Sequence, residues 1–404
     1  MRKITVFAVS FLMFALSNNL NAQENKEEKK EEKKEGFQFT EVKRLPTTSV
    51  KSQDRAGTCW SWSTISFLES EIIRLGKDSV SLAPLYIVWN TYDEKAKRYV
   101  RMHGNLNFDQ GGSFADVLWV IKNYGIVPLS EYSGLNYGEE VHAHSELNAV
   151  LKAYVEAIVK NPNKKLSTAW LRGFDGVLDA YLGAKPEKFQ YKAKEYNPQT
   201  FYKNATGLNM DDYVSLTSFT HHPFYTAFPI EVPDNWIGEI SYNIPIAELM
   251  DVMDKAIDNG YTFAWGSDVS EDGFVRRGSV AVVPDLDNVE MADAEIAKWT
   301  ALPKAKKVEE WLKNPGKEKQ ITQEMRQEAF DNYQTTDDHG MHVIGKATDQ
   351  NGNKYYIVKN SWGEYGDYKG YLYASYPFVE YKTLNIVIHK DALPKNLKTK
   401  LGIK

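Results

Sequence analysis

One cysteine, Cys59, in 404 residues constrains this chain more than any other feature. A single thiol closes no internal disulfide, so the fold must be held by its core. The composition suffices for that: 42% of residues are hydrophobic, with ten tryptophans and 24 tyrosines. The thiol also has unusual neighbours. Gln53-Asp54-Arg55-Ala56 leads into Gly57-Thr58, which reads as a turn and a helix N-cap. Ile65, Leu68, Ile72 and Leu75 then recur at helical spacing, and Gly76 offers a stop. Cys59 is expected on the first turn of a buried helix. Free N–H groups and the positive end of the macrodipole favour a thiolate there, so its pKa is expected to fall. A nucleophile of this kind needs a base, an orienter for that base and oxyanion donors.

The first residues have a separate logic. Met1-Arg2-Lys3 is basic, Ile4 to Leu16 is an apolar run of thirteen, and a short polar stretch then ends at the small residue Ala22. This is the pattern of an export signal over 1–22, too short to span a bilayer as a stable anchor. Its removal takes Arg2 and Lys3 away and moves the formal charge from −5 to −7. The mature chain is expected in the periplasm or outside the cell. A mildly acidic chain gives no electrostatic reason to bind nucleic acid, and none to bind a membrane after signal removal. Residues 23–36 repeat Lys and Glu pairs every four residues. Like charges then meet at i, i+4, which disfavours a helix, so a charged, disordered spacer is expected.

From residue 37 the pattern is that of an α+β domain running to 404. Phe37 to Val50 reads as a strand and loop. Pro84 opens a helix with Leu85, Val88 and Trp89 inward. Gln110-Gly111-Gly112 leads into a helix over 114–124, and paired glycines allow a ligand backbone to approach. Residues 136–245 read as an insertion: two amphipathic helices near 144–160 and 167–182, then an aromatic-rich loop region. His221-His222, with His142 and His144, read as surface or packing histidines, since neither carboxylate nor histidine spacing fits a metal site. A helix over 246–259 and a buried strand over 261–266 follow, then a helix near 322–333.

The base is sought in the next stretch. Asp338-His339-Gly340-Met341-His342 begins a strand, Asn351-Gly352 turns it, and Tyr355 to Lys359 returns to deliver Asn360-Ser361-Trp362-Gly363. A hairpin of this kind sets a histidine near its open end opposite an asparagine. His339 and His342 point to opposite faces of the strand. His339, at the strand mouth beside a glycine, is the favoured base; His342, among Met341, Val343 and Ile344, reads as packed.

Gln53-x5-Cys59-Trp60, His339 with Gly345 six residues on, and Asn360-Ser361-Trp362-Gly363 together resemble the papain-like cysteine peptidases. The cysteine usual at the position of Ala56 is missing. His339 and Asn360 lie 280 and 301 residues after Cys59, against about 130–150 in papain-like enzymes. The extra length resembles the bleomycin hydrolase and aminopeptidase C branch, as do Gln110-Gly111-Gly112, Asp211-Asp212-Tyr213-Val214 and Trp265-Gly266-Ser267-Asp268-Val269. The resemblance implies a papain-like fold, with a helical half carrying Cys59 and a β-rich half carrying His339 and Asn360. It implies catalysis by Cys59, His339, Asn360 and Gln53. Gly111 and Gly112 would pair with the substrate backbone, and Trp362 would shield the His–Asn bond. Neither metal nor organic cofactor is implied. The activity implied is removal of N-terminal residues from peptides, with an open-cleft endopeptidase or a non-catalytic binding module as alternatives. The branch also implies a C-terminal arm in the cleft, here about 391–404, and a homo-hexamer. The basic end, with Lys395, Lys398, Lys400 and Lys404, departs from the branch's usual tail.

Overall fold

The computed structural model describes residues 35–288 and 293–404. The expected export signal lies outside them, as does the charged spacer except for its last two residues. The rest is arranged about α1 (Cys59–Arg74). Its apolar stripe is fully used: Ile65, Phe67, Leu68 and Ile72 are at most 1% exposed. Burial of each such side chain contributes about 1.5–3 kcal/mol. One side of α1 meets α2 (Pro84–Arg101) and α3 (Phe114–Tyr124). Pro84 is tolerated at the first turn because its missing N–H has no intrahelical acceptor there. Outside them lie α4 (Ser145–Val159) and α5 (Ala169–Leu182), close to the two helices expected from the periodicity.

The other side of α1 rests on the strand His339–Thr348. Gly340 permits this approach, since a Cβ there would stand 2.7 Å from Ser63 Oγ and 3.3 Å from Trp60 Cα. That strand lies within an 11-stranded sheet. On one flank follow Phe263–Ser267, Thr383–His389, Tyr213–Thr217, Ile240–Asn243 and Ala227–Pro229. On the other come Lys354–Lys359 and Tyr371–Ser375, with β1 (Thr40–Arg44) paired to the far end of the central strand. The hairpin between His339 and Asn360 turns at Asp349, whose Oδ1 accepts from the N–H groups of Asn351 and Asn353, each at 2.8 Å. The architecture is α+β, a helical half against a β half.

Residues 136–245 do more than decorate this core. Leu216, fully buried, stands opposite Ile386 in the sheet, so the strand Tyr213–Thr217 is part of the core itself. Segment 230–239 then leaves the sheet edge and reaches α3. There Trp236 Nε1 donates to Asp116 Oδ2 at 2.9 Å, the oxygen that also accepts the Ser113 N–H at 2.8 Å and caps α3. The carboxylate that starts the helix thereby also anchors this segment. Among the described residues, no helix is long and apolar enough to cross a membrane.

Candidate active site

Where the two halves part, a cavity of about 470 Å³ opens. Gln53, Cys59, Gly111, Gly112, His339 and Trp362 line it, so six of the seven site residues read from the sequence share one cavity. The seventh, Asn360, lies buried behind His339. His339 Nε2 lies 2.8 Å from Asn360 Oδ1. That oxygen also accepts the Ser361 N–H at 2.7 Å, and Asn360 Nδ2 donates to Tyr365 Oη at 2.8 Å. The amide orientation is therefore fixed, and Nε2 must carry the imidazole proton. Nδ1 is left free for an incoming proton. The Trp362 ring covers this pair with its centroid 4.5 Å from that of His339, and the Arg276 guanidinium lies over the Trp362 ring at 4.9 Å.

Gln53 is held as firmly. Its Nε2 donates to Ala56 O at 2.8 Å and its Oε1 accepts from Ser361 Oγ at 2.6 Å. One N–H of the amide remains for a ligand, beside the backbone N–H of Cys59, which as the first residue of α1 has no intrahelical acceptor. Gln110 couples the glycine loop to the cysteine loop: its Oε1 accepts the Gly57 N–H at 2.7 Å and its carbonyl accepts Trp60 Nε1 at 3.0 Å. Thr58 precedes α1 as expected, but its hydroxyl accepts Trp62 Nε1 at 3.2 Å instead of capping the helix.

The expected fall in the thiol pKa is not found. Burial pushes Cys59 up to about 12, despite hydrogen bonds from the Gly340 and Trp60 backbone, and the charges of Asp337 and Asp234 add to the rise. Burial likewise lowers His339 to about 4, against the raising effect of Asn360. No hydrogen bond joins Cys59 to His339 among the described residues, and burial disfavours the charged form of each. Desolvation outweighs the helix terminus here. His342 sits on the opposite strand face, fully buried, with Nδ1 3.0 Å from Ser66 Oγ of α1.

Several cleft residues carry no signature in the sequence. Asp234 is the foremost. Its carboxyl group fills the space over Gly111, where a Cβ would stand 1.8 Å from Oδ2. Oδ1 accepts from Asn107 Nδ2 at 2.9 Å, while Oδ2 has no donor among the described residues. Asp109, Glu239, Asp337 and Asp338 line the same cavity. Burial raises Asp337 to about 7 and Glu239 to about 8. By surface area Asp337 is exposed, yet what it faces is the confined cleft, so desolvation still acts on it. Lys95 Nζ is turned away, donating to the carbonyls of Asp109 and Gly111 at 3.0 and 2.6 Å. The implied C-terminal arm is elsewhere: Leu397 and Leu401 of the helix Lys395–Leu401 sit in the β-half core, and no residue after Asn385 lines the cavity among those described.

The other histidines divide. His142 and His144 are buried in packing, with His142 against Trp62 at 5.4 Å between centroids. His221 and His222 are partly exposed, and both reach the carboxylate of Glu231. Folding supplies what linear spacing did not show.

A thiol on a helix N-terminus, an imidazole held by an asparagine and a glutamine amide beside the sulfur define a cysteine peptidase of papain-like fold. The comparisons agree. The profile of the Peptidase C1-like family matches residues 9–308 and 318–403, and the chain belongs to that family. Among curated relatives, aminopeptidase C of Lactobacillus helveticus is 21% identical over 396 residues, 88% of this chain and 82% of its own length. Aminopeptidase C of Listeria monocytogenes is 23% identical, over 87% and 82%. The crystal structure of PepW from Lactobacillus rhamnosis superposes with a TM-score of 0.67 at 22% identity, covering 90% of this chain and 84% of that one. That likeness shows the shared fold.

Proposed function

We propose that this chain is an exported cysteine aminopeptidase that releases N-terminal residues from peptides. The observation that carries the reading is Asp234. Its carboxyl group occupies the cleft over Gly111, where a longer acyl-side chain would have to pass, and its Oδ2 has no donor among the described residues. An α-ammonium group supplies both the charge and the protons that this oxygen lacks. The relatives named aminopeptidase C support the same reading.

In the reaction, Cys59 passes its proton to His339 Nδ1 as the sulfur attacks the scissile carbonyl. The negative oxygen that develops accepts from Gln53 Nε2 and the Cys59 N–H. Collapse of the tetrahedral adduct breaks the C–N bond, and the imidazolium gives its proton to the leaving amine. Water, deprotonated by His339, then attacks the acyl-enzyme and releases the N-terminal residue and the thiol. Asn360 holds the imidazole plane throughout, and Trp362 keeps water from that bond. Gly112 offers its backbone to the substrate; the carbonyl of Gly111 is already engaged by Lys95. The inward-facing hexamer implied by the family resemblance belongs to the same proposal, and sedimentation equilibrium tests it.

The test is hydrolysis of an aminoacyl amide with a free α-amine beside its N-blocked counterpart. The expected result is turnover of the free-amine substrate alone, lost in Cys59→Ala. Asp234→Asn is expected to raise KM about 10- to 100-fold, since a charge-assisted hydrogen bond contributes about 1.5–3 kcal/mol. Equal cleavage of the blocked substrate would instead establish an open endopeptidase cleft. Export is checked by locating the mature chain; finding it in the cytosol would refute that part.

A further inference from the structure

The histidine pair that the sequence leaves as surface or packing residues meets a carboxylate on folding. His221 Nε2 lies 3.0 Å from Glu231 Oε2, and His222 Nε2 lies 2.9 Å from Glu231 Oε1. The three donor atoms fall within 4.8 Å of one another. We propose that His221, His222 and Glu231 bind a divalent ion of the zinc class, which fastens the cleft-lining segment 230–239 to the body of the protein. This does not depend on the aminopeptidase reading.

Two imidazoles and a carboxylate are a donor set suited to zinc, with room for water at a fourth position. Ligand bonds of about 2.0–2.2 Å need the two His–Glu pairs, at 3.0 and 2.9 Å, to open only slightly. The site is also built around its donors. The His222 ring stacks on Phe228 with centroids 4.0 Å apart, and Phe330 lies parallel to His221 at 5.8 Å. Gln327 packs against the edge of the His221 ring, its Nε2 3.0 Å and its Oε1 3.3 Å from Nδ1. The backbone of the pair is pinned from below, as the fully buried Asn243 donates to the carbonyl of His222 at 2.9 Å. An ordinary surface ion pair needs none of this support.

The place of Glu231 gives the ion its consequence. Ile230 and Val232, on either side of it, line the active-site cavity, and Asp234 follows two residues later. At its far end the segment is held by Trp236 on Asp116. An ion at Glu231 would fix the near end, so that Asp234 is carried on a strap anchored twice.

The experiment uses full-length Cys59→Ala protein freed of metal by a chelator, so that the catalytic thiol takes no ion. Zn²⁺ is titrated by calorimetry, and Co²⁺ by its visible absorption. One ion per chain is expected, with binding lost or weakened at least tenfold in Glu231→Gln and in His222→Ala. Zn²⁺ should also slow proteolysis within 230–239 where Glu231 is present, and leave it unchanged in Glu231→Gln. If His222→Ala does not fold, the near-isosteric Glu231→Gln decides. Absence of saturable binding, or equal affinity in Glu231→Gln and the parent, would overturn the proposal.

Discussion

At the scale of single residues, the resting site poses a problem. The thiol is pushed up to about 12 and the imidazole down to about 4, so neither group is charged alone. Their mutual attraction acts only when both are charged, and at about 4 Å in a protein-like dielectric it amounts to about 4 kcal/mol, or roughly three pH units. That narrows the gap without closing it, so proton transfer from Cys59 to His339 belongs with attack on the substrate. The burden then falls on groups that meet the new charge as it forms. Gln53 is the clearest. Gln53→Ala is expected to lower kcat about 10²- to 10³-fold with little change in KM, as for other side-chain oxyanion donors. Single-turnover kinetics check this, and an unchanged acylation rate would remove Gln53 from the oxyanion site. Gln53, Cys59, His339 and Asn360 were legible as a group because each comes with its own local neighbours in the sequence. Asp234 was not: an aspartate in a loop has no pattern, and only folding lays it over Gly111. The thiol pKa was misread because a helix terminus is visible in sequence and desolvation is not.

At the scale of elements, periodicity made the long helices legible, α1 through α5 and the helix Ile246–Asp258 among them. Strands of two to four residues, such as Ala227–Pro229 and Phe274–Val275, are too short to show alternation, and the sheet's outer members stayed hidden. So did the part that residues 213–243 play in the core. One buried side chain holds this region to the rest. Arg326, on the helix Gln323–Asp331, is fully buried with no carboxylate partner among the described residues, and burial lowers its pKa to about 9. Backbone carbonyls solvate it instead: Ser218 at 2.7 Å, Glu380 at 3.1 Å, and also Thr383. It thus ties the end of the strand Tyr213–Thr217 to the helix Tyr376–Lys382. Arg326→Leu leaves these carbonyls without donors and is expected to cost about 3–5 kcal/mol of stability. Urea unfolding measures it; a loss within about 0.5 kcal/mol, the range of ordinary surface changes, would mean the arginine is replaceable there.

At the scale of the whole molecule, the modest formal charge of −5 hides an uneven distribution. Asp109, Asp234, Glu239, Asp337 and Asp338 face one cavity, while the nearest lysine, Lys95, is turned into backbone carbonyls. Burial raises Asp337 to about 7 and Glu239 to about 8 and also raises Asp234, and neighbouring carboxylates add to the rise. These groups are neutral below their pKa values, so the cleft becomes less negative as pH falls through 8 and 7. A free α-amine, with an unperturbed pKa of about 7.7–8.0, loses its charge in the opposite direction. Attraction between the two is therefore greatest where both ionised populations overlap, close to neutrality. For a free-amine substrate, KM is expected to rise on either side of pH 7 to 8. The catalytic pair adds no limb in this window: it keeps one shared proton from about 4 to about 12. The kcat at saturating substrate should therefore stay nearly flat from pH 5.5 to 9. A substrate whose amine is replaced by a neutral group of similar size should lose both limbs of the KM profile along with most of its affinity. Were the two substrates to share one profile, the carboxylates would have no part in recognition, and charge in the cleft would be only a by-product of its walls.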